Sequence, residues 1–179
     1  ITLTSQKGGS GKSTLAINLA SEWHRRGLKT LLVDCDPQHT IMTWHRFAEM
    51  DGVESPDVVA IGSGITTNLP KMADGYDVVV VDTPGARSAR STEAAAVSDF
   101  LLVPCKPGAS DVWALQSTAK DIDHITEEAP HIKTGVVMNQ TTRTTASKSL
   151  RGALDHFPLP VLKSSVSQRV AVVEAPNEG

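Results

Sequence analysis

Two lysines and three glycines crowded into eight residues, Lys7-Gly8-Gly9-Ser10-Gly11-Lys12-Ser13-Thr14, are the part of this sequence best equipped for chemistry. Glycines let successive backbone N–H groups curl around an anion, and a helix starting at the same point adds the positive end of its dipole. Lys12 is spaced to reach the outer phosphates of a nucleoside triphosphate, and the Ser13 hydroxyl to ligate Mg2+. Ile1-Thr2-Leu3-Thr4-Ser5 before it reads as a strand, and Leu15, Ile17, Leu19, Ala20 and Trp23 after it read as a helix. That strand–turn–helix context separates a phosphate loop from a flexible glycine turn carrying two solvated lysines. The general pattern G-x-x-x-x-G-K-[ST] begins with a glycine, which here is Gln6, and Lys7 stands one place later instead.

Carboxylates supply the second ingredient. Asp77-Val78-Val79-Val80-Val81-Asp82-Thr83-Pro84-Gly85 reads as a buried strand delivering Asp82 near the metal, opposite Ser13. Thr83-Pro84-Gly85 then forms a loop whose Gly85 N–H can sense a terminal phosphate. In Asp34-Cys35-Asp36-Pro37-Gln38, residues two apart share a side of an extended chain, so Asp34 and Asp36 are both expected to face the nucleotide. One would arrange the metal's waters and the other orient the attacking water; alone, Asp-Pro is also a plain turn signal. Asn139 ends a strand, where an amide can either cap the chain or donate and accept along a base edge.

The elements that must position these groups alternate along the chain. Strands are expected at Thr30 to Asp34, Val58 to Ile61, Asp77 to Asp82, Phe100 to Val103 (ended by Pro104), Gly135 to Asn139 and, briefly, Val161-Leu162. Helices are expected over Ile41 to Met50, Thr66 to Ala73, Ser88 to Val97, Ser110 to Ala129 and Ala146 to His156, with another beginning at Gln168. Between Ser110 and Ala129, the residues Val112, Leu115, Ala119, Ile122 and Ile125 recur at three- and four-residue steps. Such alternation predicts an α/β fold, a mostly parallel twisted sheet with helices on both faces. Ligands of such sheets sit at the C-terminal strand ends, where the phosphate loop, Asp34, Asp36, Asp82 to Gly85 and Asn139 would meet.

At 179 residues the chain suits a single domain, 1–179. Ile1 starts in mid-strand and Gly179 ends on a turn signal, so native residues are expected to be missing at both ends. With 40% hydrophobic residues but three Trp, three Phe and one Tyr, the core must be aliphatic. No apolar run has transmembrane length. Cys35 and Cys105 are read as reduced thiols. Net charge is −3, unevenly spread: from Lys133 to Val170 six basic residues face Asp155 alone, +5, leaving −8 for the rest.

The motif Lys7-Gly8-Gly9-Ser10-Gly11-Lys12-Ser13 resembles the deviant phosphate loop of the ParA/MinD family of ATPases. Further along, Val33-Asp34-Cys35-Asp36-Pro37-Gln38 is similar to that family's V-D-x-D-P-Q. The stretch from Val103-Pro104-Cys105-Lys106-Pro107 to Asp111-Val112-Trp113-Ala114 is similar to its I-P-V-x-P-S-x-x-D-x-W-A, and Val166-Ser167-Gln168-Arg169 to its [TS]-Q-R. The match runs the length of the chain and is best for short ParA proteins, without an N-terminal helix-turn-helix domain.

The resemblance implies an ATPase that uses ATP and Mg2+, with Lys7, Lys12 and Asp36 catalytic. Gly8, Gly9, Ser10, Gly11, Thr14, Gly85, Pro107 and Asn139 would join them around the nucleotide, and Ser13, Asp34 and Asp82 around the metal. Lys7 would reach across an ATP-dependent homodimer to the other subunit's phosphates, Asp36 place the water, and Asn139 read adenine. It also implies non-specific DNA binding through a basic C-terminal surface, for which Arg143, Lys148, Arg151, Lys163 and Arg169 are the candidates. Without the resemblance these would be an ordinary solvated face. A ParB-type or cargo-adaptor partner would stimulate slow hydrolysis, in a cytoplasmic, nucleoid-associated setting, to position a plasmid, a chromosome region or a protein cargo. Relatives with other work are a MinD-like ATPase at the membrane, an iron protein with cluster cysteines, a tyrosine kinase with a Tyr-rich tail, and a biosynthetic synthetase. The synthetase is the strongest enzyme alternative, although it should need more polar substrate-binding residues than the plain amphipathic Ile41 to Ala48.

Overall fold

Strands that must be buried on both faces are apolar without alternation, and this chain has several. In the computed structural model, which describes residues 1–169, they form one seven-stranded, all-parallel sheet. The elements alternate as β1 (Thr2–Leu3), α1 (Lys12–Arg25), β2 (Thr30–Asp34), α2 (Thr40–Met50), β3 (Asp57–Ala60), α3 (Ile65–Ala73), β4 (Val78–Asp82), α4 (Ala89–Ala96), β5 (Phe100–Cys105), α5 (Ala109–Glu128), β6 (Lys133–Thr141), α6 (Thr145–Leu154) and β7 (Val161–Ser167).

The spatial order is β3-β2-β4-β1-β5-β6-β7. From β1 the chain steps outward to β2 and β3, then returns to β4 beside β1 and crosses to β5 and onward to β7. A right-handed crossover places its helix on a face set by the direction of the step, so this reversal assigns α1 and α2 to one face and α3 to α6 to the other. The packing agrees. Leu15, Ile17 and Ala20 of α1, with Ile41 and Trp44 of α2, cover Leu3, Leu32, Val80 and Leu102. On the opposite face, Leu115, Ala119 and Ile122 of α5 and Leu150 and Leu154 of α6 cover Leu101, Val103, Val136 and Met138, while Ile65 and Leu69 of α3 cover Leu31, Val33 and Val81. The valines of β4 therefore serve both layers, Val80 one and Val81 the other.

Three element expectations change. β5 runs on through Pro104 to Cys105, with Pro104 opposite Val137. Proline is tolerated there because the Leu102 carbonyl accepts from Thr4 N–H on the β1 side. Residue 104, two further on, faces that same side after β1 has ended, so the ring deprives the ladder of nothing. β7 is seven residues long rather than two, with irregular register against β6. The helix expected from Gln168 is not formed at Gln168 or Arg169, and the remainder of that expectation lies outside the described residues. Cys35 and Cys105 are both buried and free. Burial pushes their thiols up to about 12 and about 11, which leaves them protonated and inert.

Candidate nucleotide-binding site

β1 ends at the centre of the sheet, and the reversal of strand order beside it opens a crevice at the C-terminal edge. The phosphate loop fills the turn from β1 to α1. Gly9 (φ 71°) and Gly11 (φ 90°) adopt the left-handed backbone that only glycine holds without cost, and Gly11 is the N-cap of α1. One cleft is lined by the phosphate loop (Gly8, Gly9, Gly11, Lys12, Ser13 and Thr14), by Asp36, Pro37 and Gln38 after β2, by Pro84, Gly85 and Ala86 after β4, and by Gln140. Gly85 is needed for proximity: a Cβ there would lie 2.8 Å from Gly8 Cα and 3.5 Å from Lys12 Nζ. The loop after β4 thus rests directly on the phosphate loop.

Lys12 is 6% exposed. Burial lowers its ammonium below the usual value, against the pull of the Asp82 and Asp36 carboxylates. Asp82 is fully buried, and Ser13 Oγ donates to its Oδ2 at 2.5 Å. Burial pushes the Asp82 carboxyl up to about 7, the Ser13 hydrogen bond and Lys12 opposing it. Its other oxygen, Oδ1, is buried with no hydrogen-bond partner among the described residues. A carboxylate oxygen left orphaned beside a serine hydroxyl and a lysine is costly in a resting protein and suits a hard, oxygen-seeking cation such as Mg2+. Among the described residues no cluster of three or more His, Cys, Asp or Glu could cage a metal.

Asp34 and Asp36 do not share the cleft. Asp34 is fully buried, its Oδ1 accepting from Asp36 N–H (3.0 Å) and its Oδ2 from Met42 N–H (3.2 Å). It therefore pins the β2–α2 loop to the first turn of α2, and only Asp36 lines the cleft. The extended geometry that would align the two carboxylates ends at Asp34, the last residue of β2, after which the chain turns. Asp36 Oδ1 accepts from Gln38 N–H at 2.9 Å, which shapes that turn.

Lys7 turns away from the cleft. Its Nζ donates to Asp111 Oδ2 (2.6 Å) and Ser110 Oγ (2.8 Å) in the first turn of α5. Asn139 is 3% exposed; its Nδ2 donates to the Ser10 carbonyl (2.8 Å) and its Oδ1 accepts from Gln140 N–H (2.9 Å). Each end of the amide holds one backbone group and keeps a second N–H or lone pair, and Pro107 stands on the β5–α5 connection away from the cleft lining. Of the basic candidates, Arg143, Lys148, Lys163 and Arg169 are exposed. Arg151 is half-buried and donates to the Leu162 (3.2 Å) and Lys163 (3.3 Å) carbonyls, so it fastens α6 to β7. Sequence reasoning passed over Asp111 as a partner for Lys7, Asp121 and Gln140. Asp121 accepts from Gln6 Nε2 (2.5 Å) and pairs with Arg87 (3.1 Å), tying α5 to both cleft loops. Asp111 lies in a stretch the sequence marks, but its pairing with Lys7, like that of Asp121 with Gln6 and Arg87, joins residues distant in sequence, and no local signal marks Asp121 or Gln140.

Over residues 1–179 the chain matches the family described as the CobQ/CobB/MinD/ParA nucleotide binding domain. It belongs to that family. Among its relatives is Maintenance of carboxysome distribution protein A of Halothiobacillus neapolitanus, 30% identical over 176 residues, spanning 97% of this chain and 81% of that protein. Another is the chromosome-partitioning ATPase Soj of Thermus thermophilus, 26% identical, covering 100% of this chain and 85% of that one. Family members thus include partition and positioning proteins. Cobyrinic acid a,c-diamide synthase from Mycobacterium smegmatis, with bound ADP and magnesium, superposes with a TM-score of 0.79 at 18% identity, over 99% of this chain and 89% of that one. The shared fold therefore extends to a synthase, and the choice between activities rests on the site.

Proposed function

We propose that this chain is a ParA-like partition or positioning ATPase that closes into an ATP-dependent homodimer. In that state it holds DNA without sequence preference, and a ParB-type or cargo-adaptor partner stimulates hydrolysis and release. The observation that carries the reading is the setting of Lys7. It belongs to the phosphate loop, yet its ammonium stands at the rim on Asp111 and leaves the protein's own cleft to Lys12. A phosphate-loop lysine held outside its own site is positioned to serve a neighbour's.

Within the cleft, the N–H groups from Gly8 to Thr14 bind the phosphates and Lys12 concentrates positive charge on the transferred phosphoryl group. Ser13 and Asp82 would hold Mg2+, which supplies charge neutralisation at the outer phosphates. Asp36 orients the attacking water, and the Gly85 N–H donates to the terminal phosphate. The work is positioning and electrostatics, with little covalent chemistry for the protein to do. Asp34 acts one step removed, by fixing the loop that carries Asp36.

Arg143, Lys148, Lys163 and Arg169 contact DNA phosphates, while Arg151 maintains the α6–β7 surface on which Lys148 and Lys163 lie. Among the described residues no helix is long and apolar enough to cross a membrane.

The test is retention of DNA on a filter with ATP, ADP or no nucleotide, alongside the mass in solution. Lys7→Ala should abolish the ATP-dependent dimer and lower hydrolysis. If dimerisation and hydrolysis survive that change, the cross-subunit role of Lys7 is wrong. DNA retention that ignores ATP would point instead to a synthetase-type enzyme.

A further inference from the structure

We infer that Arg90 is a positioning residue for hydrolysis: from the first turn of α4 it pins the peptide unit that carries Asp36 and ties it to the loop after β4. That role presupposes the reading of Asp36 as the residue that orients the attacking water.

The peptide unit leading into Asp36 is held at both ends. Its N–H, that of Asp36, donates to Asp34 Oδ1 at 3.0 Å. Its carbonyl, that of Cys35, accepts from Arg90 Nη1 at 3.2 Å. The unit before it is fixed as well, since Cys35 N–H donates to the Asp82 carbonyl at 3.0 Å. A planar peptide anchored through both N–H and C=O cannot swing about its flanking bonds without losing one anchor. β2 ends at Asp34, and past that point the carbonyl's partner is a side chain instead of a neighbouring strand. Cys35 is fully buried, so loss of the guanidinium would leave its carbonyl without a partner and free one end of the unit.

Arg90 does not line the cleft, so its effect on the nucleotide runs through Asp36. The guanidinium passes close to Gly62, where a Cβ would lie 3.6 Å from Nη2. Three residues further on, and on the same side of α4, Glu93 Oε2 accepts from the N–H of Ile65 (3.0 Å), the first residue of α3. α4 therefore holds the loop after β2 with one side chain and the loop after β3 with another. The helix is itself hung from the loop after β4. Gly85, which packs against Gly8, stands shortly before Ser88, the N-cap of α4, whose Oγ accepts from Ser91 N–H at 3.2 Å. A shift of that loop on the phosphate loop moves the Arg90 anchor, and the peptide of Asp36 moves with it. Contact at the outer phosphates and placement of the water-orienting carboxylate are thereby coupled through one short helix.

Single-turnover hydrolysis of ATP with Mg2+, alongside titration of a fluorescent ATP analogue, tests this in wild type, Arg90→Ala, Arg90→Lys, Asp36→Ala and the double variant Arg90→Ala with Asp36→Ala. Arg90→Ala should slow hydrolysis of bound ATP on the order of tenfold or more, the scale expected when a reacting group loses its positioning. Affinity should stay within about twofold of wild type, because no contact to the nucleotide is removed. Arg90→Lys, whose ammonium can still donate to the Cys35 carbonyl, should recover part of the rate. In the double variant the change at Arg90 should cost nothing beyond Asp36→Ala, since a residue acting only through Asp36 has nothing left to position. A full rate in Arg90→Ala overturns the inference, as does an additive loss in the double variant or a fall in affinity as large as the fall in rate. If Arg90→Ala does not fold, Arg90→Gln, too short to reach the carbonyl, is judged by the same criteria. Wild-type hydrolysis in Asp36→Ala would overturn the reading of Asp36 itself, and the role of Arg90 with it.

Discussion

At the scale of single residues, the feature that most constrains this protein is the charge balance around Asp82. Its carboxyl is fully buried, keeps one oxygen unsatisfied among the described residues, and is pushed up to about 7. A folded-state value above the unfolded one means that the native chain binds more protons between about pH 4 and pH 7. The stability this contributes is complete below the unfolded value, about 4, and is lost as pH rises through about 7. Asp34, also raised by burial, adds in the same sense. The metal- and nucleotide-free protein should therefore lose stability as pH rises from about 4 to about 7. Asp82→Asn should flatten that dependence and melt higher than wild type at about pH 8, by up to a few kcal/mol at about 1.4 kcal/mol per pH unit. Urea midpoints across the range measure it; a wild-type protein that grows more stable with pH would refute the assignment. The same substitution should remove any Mg2+-dependent gain in ATP affinity.

At the scale of elements, the cleft depends on loops that touch where side chains would not fit. Gly11→Ala combines an unfavourable φ of 90° with a Cβ 2.3 Å from the Asn139 amide. It should cost on the order of 2 kcal/mol in folding and abolish nucleotide binding. Gly85 has no such backbone constraint, but its Cβ would strike the Gly8 backbone at 2.8 Å. Gly85→Ala should therefore displace the loop after β4 and lower the melting temperature, and, if that loop senses the terminal phosphate as proposed, weaken ATP more than ADP. Equal losses for both nucleotides, read by titration, would count against that placement of the loop. α5 supplies a third connection through Asp121. Asp121→Ala, removing the bonds to Gln6 and Arg87, should lower hydrolysis more than ATP affinity. Most of these elements are legible in the sequence, because their apolar periodicity is strong. The exceptions, Pro104 inside β5 and the full length of β7, are decided by neighbours: a strand end that spares the missing N–H, and β6 as a pairing template.

At the scale of the whole molecule, the net charge of −3 conceals a basic segment. If that region binds DNA phosphates, ATP-dependent retention should fall steeply with salt. Lys148→Glu with Lys163→Glu should weaken it and reduce the log–log slope by roughly 0.9 for each phosphate no longer neutralised. Arg151 is the wrong residue for this test, since its guanidinium holds the β7 backbone and its removal would confuse folding with binding. An unchanged slope in the double variant, with the fold intact by circular dichroism, would place the DNA surface elsewhere.

The sequence by itself determined the layer architecture, the phosphate loop and the strand-end position of Asp82, because these follow from local spacing: glycines where the backbone must curl, unbroken valines where a strand is buried on both faces. The family also lay in such local motifs. Which carboxylate enters the cleft, where Lys7 rests, and which backbone groups the Asn139 amide holds were decided only by the tertiary structure. Asp34 is drawn off by Met42, Lys7 by Asp111 across 104 positions, and Asn139 by Ser10 across 129. Buried polar groups must find partners, and those partners are chosen by proximity in the fold and not along the chain.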